Sequence, residues 1–102
     1  MIHVIATIQL APGTRPAFLE EFGKLTPFVR AESGCIEYGA TVDEPTGLPA
    51  QDLAGDDAVI VVEKWEGVDA LNAHMQAPHM ADYRTRVRDY VRSVSLLVLR
   101  PV

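Results

Sequence analysis

Residues 58–80 read AVIVVEKWEGVDALNAHMQAPHM. The first nine, residues 58–66, are apolar on both faces until Glu63, as in a strand covered on both sides. Gly67 then turns the chain. Residues 68–76 and 78–92 carry helical spacing, broken at Ala77-Pro78, because a residue before proline is pushed out of the helical region. Tyr83, Val87, Tyr90 and Val94 recur at i, i+4, i+7 and i+11, a stripe on one face. One strand therefore leads directly into a two-piece helix. The same stretch concentrates Trp65, His74, His79, Met75 and Met80. They suit core packing, a metal site or the wall of a pocket for a flat aromatic molecule.

The flanking segments complete the pattern. Residues 2–10, IHVIATIQL, alternate as a strand, with Ile2, Val4, Ala6, Ile8 and Leu10 on one face. APGT breaks it; Thr14 is placed to cap a helix and Pro16 suits its first turn. Phe18, Phe22, Leu25 and Val29 make the apolar stripe of that helix, with Glu20 and Lys24 spaced to pair outside it. Pro27 predicts a kink or a stop near Thr26. ESGC turns into a second strand, 35–43. A Pro-, Gly- and Asp-rich loop, 44–57, links it to the third, and residues 93–100, SVSLLVLR, form the last strand.

The order β-α-β-β-α-β predicts an α+β, ferredoxin-like domain spanning residues 1–102, with a four-stranded antiparallel sheet. Helices on one face would leave the other face open. Ile5, Thr7 and alternate positions of 58–62 and 94–99 would make that face apolar. The simplest cover is a second copy, so a homodimer packed through the sheet face is expected.

The 102 residues suffice for one core, and 48% are apolar. The net charge of −5 argues against nucleic acid, which needs clustered Lys and Arg. Charge is uneven: residues 1–69 hold four bases and twelve acids, residues 70–102 five bases and two acids. Arg84, Arg86, Arg88 and Arg92 fall in the predicted last helix, as a solvated face or with one arginine turned inward to hold an anion. The lone Cys35 allows no internal disulfide and fits a reducing compartment. Residues 2–10 read as a strand and not as a signal peptide, and no apolar run approaches the ~20 residues of a membrane span. A cytoplasmic location without membrane contact is expected.

Specific chemistry is sparse. His74 and His79 are five apart, which on an unbroken helix would put them ~140° apart, so no metal is expected. Cys35 reads as an inert thiol, and Glu63 as a base only if buried. Trp65 ends the third strand. Phe22, Tyr83 and Tyr90 lie on stripes facing the sheet, and polar neighbours such as His74 and Arg84 would turn that core into a pocket.

PGTRPAFLEEF, ESGCIEYGATVDEP and VEKWEGVDALNAHMQAPHM together resemble the antibiotic biosynthesis monooxygenase family over roughly residues 2–95. The shared features are Gly-Cys followed by Tyr38 on the second strand, a strand ending in Trp65, and the helix histidine, His74. The resemblance implies a dimeric α+β barrel that oxidises a quinol or polyketide anthrone with O₂, without flavin, haem or metal. On that reading Trp65 and His74 are catalytic, Trp65 lining the pocket and His74 taking the substrate proton. Tyr83 or Arg84 stabilises the anion, and Phe22 and Tyr38 bind substrate. Haem-degrading members of the same superfamily carry an asparagine and a ligand histidine where this chain has Ala6 and, approximately, Arg84. The alternatives are a non-catalytic or stress-related small-molecule-binding domain and an isomerase or lyase on the same cleft.

Overall fold

The computed structural model describes residues 1–102. Strand β1 (Ile2–Leu10) leads into helix α1 (Arg15–Arg30), then strands β2 (Cys35–Thr41) and β3 (Ala58–Trp65), helices α2 (Val68–Met75) and α3 (Pro78–Val87), and strand β4 (Val91–Leu99). The sheet order is β2-β3-β1-β4, with every neighbouring pair antiparallel. The ferredoxin-like arrangement is thus present, with its second helix divided in two. Ala77 takes an extended conformation, φ −63° and ψ 142°, which is the break that Pro78 imposes.

Alternation sorts β1 and β3 cleanly. Ile2, Val4, Ala6, Ile8 and Leu10 are buried, as are Val59, Val61, Glu63 and Trp65 beside them in register. They pack beneath Phe18, Phe22, Leu25 and Val29 of α1, Leu71 of α2, and Met80, Tyr83 and Val87 of α3. The helices therefore cover one face of β2, β3 and β1.

Several local expectations are corrected. Helix α1 runs through Pro27 to Arg30, and the Ala31 amide closes its last turn on the Pro27 carbonyl. Thr14 stands at the N-cap, but its hydroxyl donates to the Ala11 carbonyl, 2.7 Å, and caps no amide. Lys24 pairs with Glu21 at 3.1 Å instead of Glu20, and Glu21 is also held by Arg86 of α3 at 2.9 Å. The last helix stops at Val87, five residues short of 92. There the Tyr90 amide turns back to the Val87 carbonyl, and the Tyr90 carbonyl accepts the Ala11 amide at 2.8 Å. Val91 then pairs with Leu10. Pairing with β1 wins over another helical turn, so Arg88 caps α3 and Arg92 lies in β4.

The turn after α1 is tightly specified. Gly34 has φ +83°, and a Cβ there would lie 2.6 Å from that of Ala70 in α2. The Glu66 amide bonds to the Gly34 carbonyl at 2.8 Å. This turn holds Glu32 against the α2–α3 break.

Candidate active site

A cavity of about 400 Å³ lies between the helices and the sheet. Ala6, Ile8, Val61 and Glu63 form its floor, Phe22 and Tyr38 one wall. His74 and Met75 of α2, and Met80, Tyr83, Arg84 and Val87 of α3, form the opposite side. Val94 and Leu96 of β4 reach its mouth. Phe22 and Tyr38 stack at 5.5 Å with ring planes 10° apart, and Tyr83 meets Phe22 edge-on at 6.1 Å. The interior is a slot shaped by aromatic rings.

Four polar groups converge on this slot. No buried side-chain nitrogen or oxygen lacks a partner. The hydroxyls of Tyr38 and Tyr83, one oxygen of Glu63 and Nε2 of His74 bond to no protein atom. They therefore open toward the cavity their residues line. Burial pushes the Tyr38 phenol well above its ordinary value, with the Glu63 charge adding to the effect. Burial pushes Tyr83 up as well, only partly opposed by Arg84. Both phenols stay protonated donors.

Glu63, a base only if buried on the sequence evidence, is only 5% exposed. Its Oε1 accepts the Trp65 indole N–H at 2.9 Å. Desolvation raises its carboxyl above the usual range, and neither the indole bond nor the charge of His74 cancels that rise. The signal was present in the alternation Val59, Val61, Glu63, Trp65, which puts all four side chains on one face.

Trp65 itself is fully buried and does not line the cavity. The expectation that it forms the pocket wall is corrected: the ring packs behind His74, at 4.6 Å and 36°, and orients Glu63. His74, Phe22, Tyr38, Tyr83 and Arg84 do line the cavity. Arg84 spends one N–H on the Met75 carbonyl, 2.8 Å, across the α2–α3 break. Tyr90, expected on a helical stripe, lies past the end of α3 and outside the lining. Met75, at the mouth, is half exposed and not a core residue, whereas Met80 is buried.

From the sequence Glu32 carries no expected role, and His79 only a spacing from His74 that argues against a metal. Oε2 of Glu32 lies 2.8 Å from Nδ1 of His74 and 2.8 Å from Nε2 of His79. The helix break at Ala77 removes the angular separation that an unbroken helix would impose. Nothing near Glu32 in sequence announces a contact 42 residues away. No group of three His, Cys, Asp or Glu is arranged to hold a metal ion. The Cys35 thiol is pushed up by burial first, then by Glu32 and Glu63, which suits an inert thiol.

Residues 1–86 match the family model described as antibiotic biosynthesis monooxygenase. The chain is 38% identical over 103 aligned positions to the Escherichia coli (strain K12) protein called probable quinol monooxygenase YgiN, covering 99% of this chain and 98% of that one. Among solved structures it resembles PA3566 from Pseudomonas aeruginosa, with TM-score 0.81 and 25% identity over 99% of this chain and 93% of that one. It also resembles Rv0793 from Mycobacterium tuberculosis, with TM-score 0.79 and 26% identity over 99% and 94%. The chain belongs to the antibiotic biosynthesis monooxygenase family.

Proposed function

We propose that this protein is a cofactor-independent monooxygenase that oxidises a hydroxylated aromatic, of quinol or anthrone type, with O₂. The carrying observation is the aromatic-walled slot into which His74, Glu63, Tyr38 and Tyr83 open unpartnered polar atoms. The likeness to a probable quinol monooxygenase supports the same reading. A flat substrate fits between the Phe22–Tyr38 stack and the α3 side chains, and its oxygens meet the four polar groups.

The chemistry balances without a resident redox group, because the substrate supplies the electrons. His74 Nε2 takes a proton from the substrate hydroxyl or activated methylene. The protonated phenols of Tyr38 and Tyr83 hydrogen-bond to the resulting anion, and Arg84 adds positive charge at the mouth. The anion passes one electron to O₂, and the radical and superoxide join through a carbon–oxygen bond. The peroxide recovers the proton from His74. Loss of water then breaks the O–O bond and leaves a carbonyl on that carbon. The substrate gives four electrons, one oxygen atom enters the product and the other leaves as water.

The open sheet face supports a homodimer. Ile5, Ile60, Val62, Leu97 and Leu99 share that face in register, and no helix covers them. No helix is long and apolar enough to cross a membrane. The single free cysteine supports a cytoplasmic setting.

Oxygen consumption with anthrones, quinols and flavonol-type phenols tests the proposal on chelator-treated protein free of flavin and haem. Uptake well above autoxidation, falling about 10²–10³-fold in His74→Ala with the fold intact, is the expected outcome. Folded protein that accelerates no member of the panel would move the function to binding or isomerisation in the same slot. Unchanged kinetics in His74→Ala would remove that histidine from the mechanism.

A further inference from the structure

We infer that Glu32 is the positioning residue of this site, holding His74 in the tautomer that accepts the substrate proton, and that His79 holds Glu32 in place. The inference rests on the reaction proposed above and follows from one atom. Oε2 of Glu32 lies 2.8 Å from a ring nitrogen of each histidine. A carboxylate oxygen has lone pairs and no proton, so each ring meets it with an N–H. A neutral imidazole carries a single N–H, and in His74 it is then on Nδ1. Nε2 keeps its lone pair, and Nε2 is the atom with no protein partner, open to the cavity.

The surroundings leave this arrangement little freedom. Trp65 and Tyr38 pack against the His74 ring at 4.6 and 5.5 Å, restricting its rotation. Glu63 lines the same cavity from the β3 floor, and its charge is coupled to that of His74. Glu32 is itself fixed at both ends. Its amide donates to the Val29 carbonyl, 2.9 Å, and its carbonyl accepts the Cys35 amide, 3.2 Å. His79 projects from the first turn of α3, is partly exposed, and carries the network from a buried ring to the surface.

A purely structural role, pinning α2 and α3 to the turn, would use the same bonds but would not require a particular tautomer. Ring-nitrogen NMR of ¹⁵N-labelled, substrate-free protein separates the two. We expect a protonated Nδ1 and an unprotonated Nε2 on His74 in the wild type. In Glu32→Leu neither ring keeps its acceptor, and the His74 proton is no longer held on Nδ1. A wild-type ring protonated at Nε2, or at both nitrogens at neutral pH, overturns the inference. So does a folded Glu32→Leu protein with the wild-type ring pattern. These spectra need no turnover, so they stand apart from the fate of the oxygenase proposal. With an active substrate, Glu32→Leu lowers kcat about 10²-fold at unchanged KM. His79→Leu lowers kcat about 10-fold, and His79→Gln, which still donates, recovers most of that loss. Equal losses in the Leu and Gln variants, or effects confined to KM, would remove His79 from the positioning role.

Discussion

Strands β3 and β4 flank β1 on opposite sides, both antiparallel to it and both rich in valine and leucine or isoleucine, yet they meet different fates. On the helix-facing side of β3, Val59, Val61, Glu63 and Trp65 are all buried. On the same side of β4, Val94, Leu96 and Val98 are all exposed, with Val94 56% accessible. The helices lie across β2, β3 and β1, and α3 ends before it reaches β4. The strand's place beneath or beyond the helices, more than its composition, decides its burial. The difference organises the site: under the helices, packing immobilises polar side chains and shifts their proton affinities, while β4 offers an open apolar rim.

Breaking the closed half has the largest expected effect. Trp65→Ala removes the largest fully buried side chain and the indole donor of Glu63. We expect a loss of about 3–5 kcal/mol in chemical denaturation, with activity lost through displacement of His74 and Glu63. A variant as stable as the wild type would mean that the ring packs loosely. The open half behaves differently. Leu97, 59% exposed on the uncovered sheet face, packs little within the chain. Leu97→Asp should leave chain stability within about 0.5 kcal/mol but weaken self-association by about 30-fold, or ~2 kcal/mol. Sedimentation across a dilution series reads this directly. A wild-type chain that sediments as a monomer at every concentration would end the dimer proposal.

Legibility followed the same divide. The alternation of Ile2 to Leu10 and the stripe Phe18, Phe22, Leu25, Val29 were readable because each repeats a local period, and the buried residues match both. Phe22, Tyr38, His74, Tyr83 and Arg84 could be named as a group from spacing and family motif, and all line the cavity. Residues whose role depends on distant partners were not readable. Glu32 sits in a turn with unremarkable neighbours and gains its role from two rings delivered by a helix break. Trp65 could be placed at the end of β3, but whether it lined the slot or lay behind it depended on the angle of α2. The stop of α3 at Val87 was hidden because Tyr90 and Val94 continue its period, while the ladder to β1 decides the matter.

The smallest expected effect concerns protonation within the closed half. Burial raises the Glu63 carboxyl above its ordinary value, about 4.3 for an unfolded chain. Between those two values the folded protein holds a proton that the unfolded chain has released. More protons bound in the folded state means that stability falls as pH rises through this window. One proton bounds the slope at about 1.4 kcal/mol per pH unit. Glu63→Gln keeps an oxygen for the Trp65 indole and carries no titrating group, so that fall should disappear. Urea midpoints measured from pH 4 upward should diverge, the variant gaining on the wild type as pH rises. Parallel curves would mean that Glu63 ionises in the folded protein as readily as in the unfolded chain.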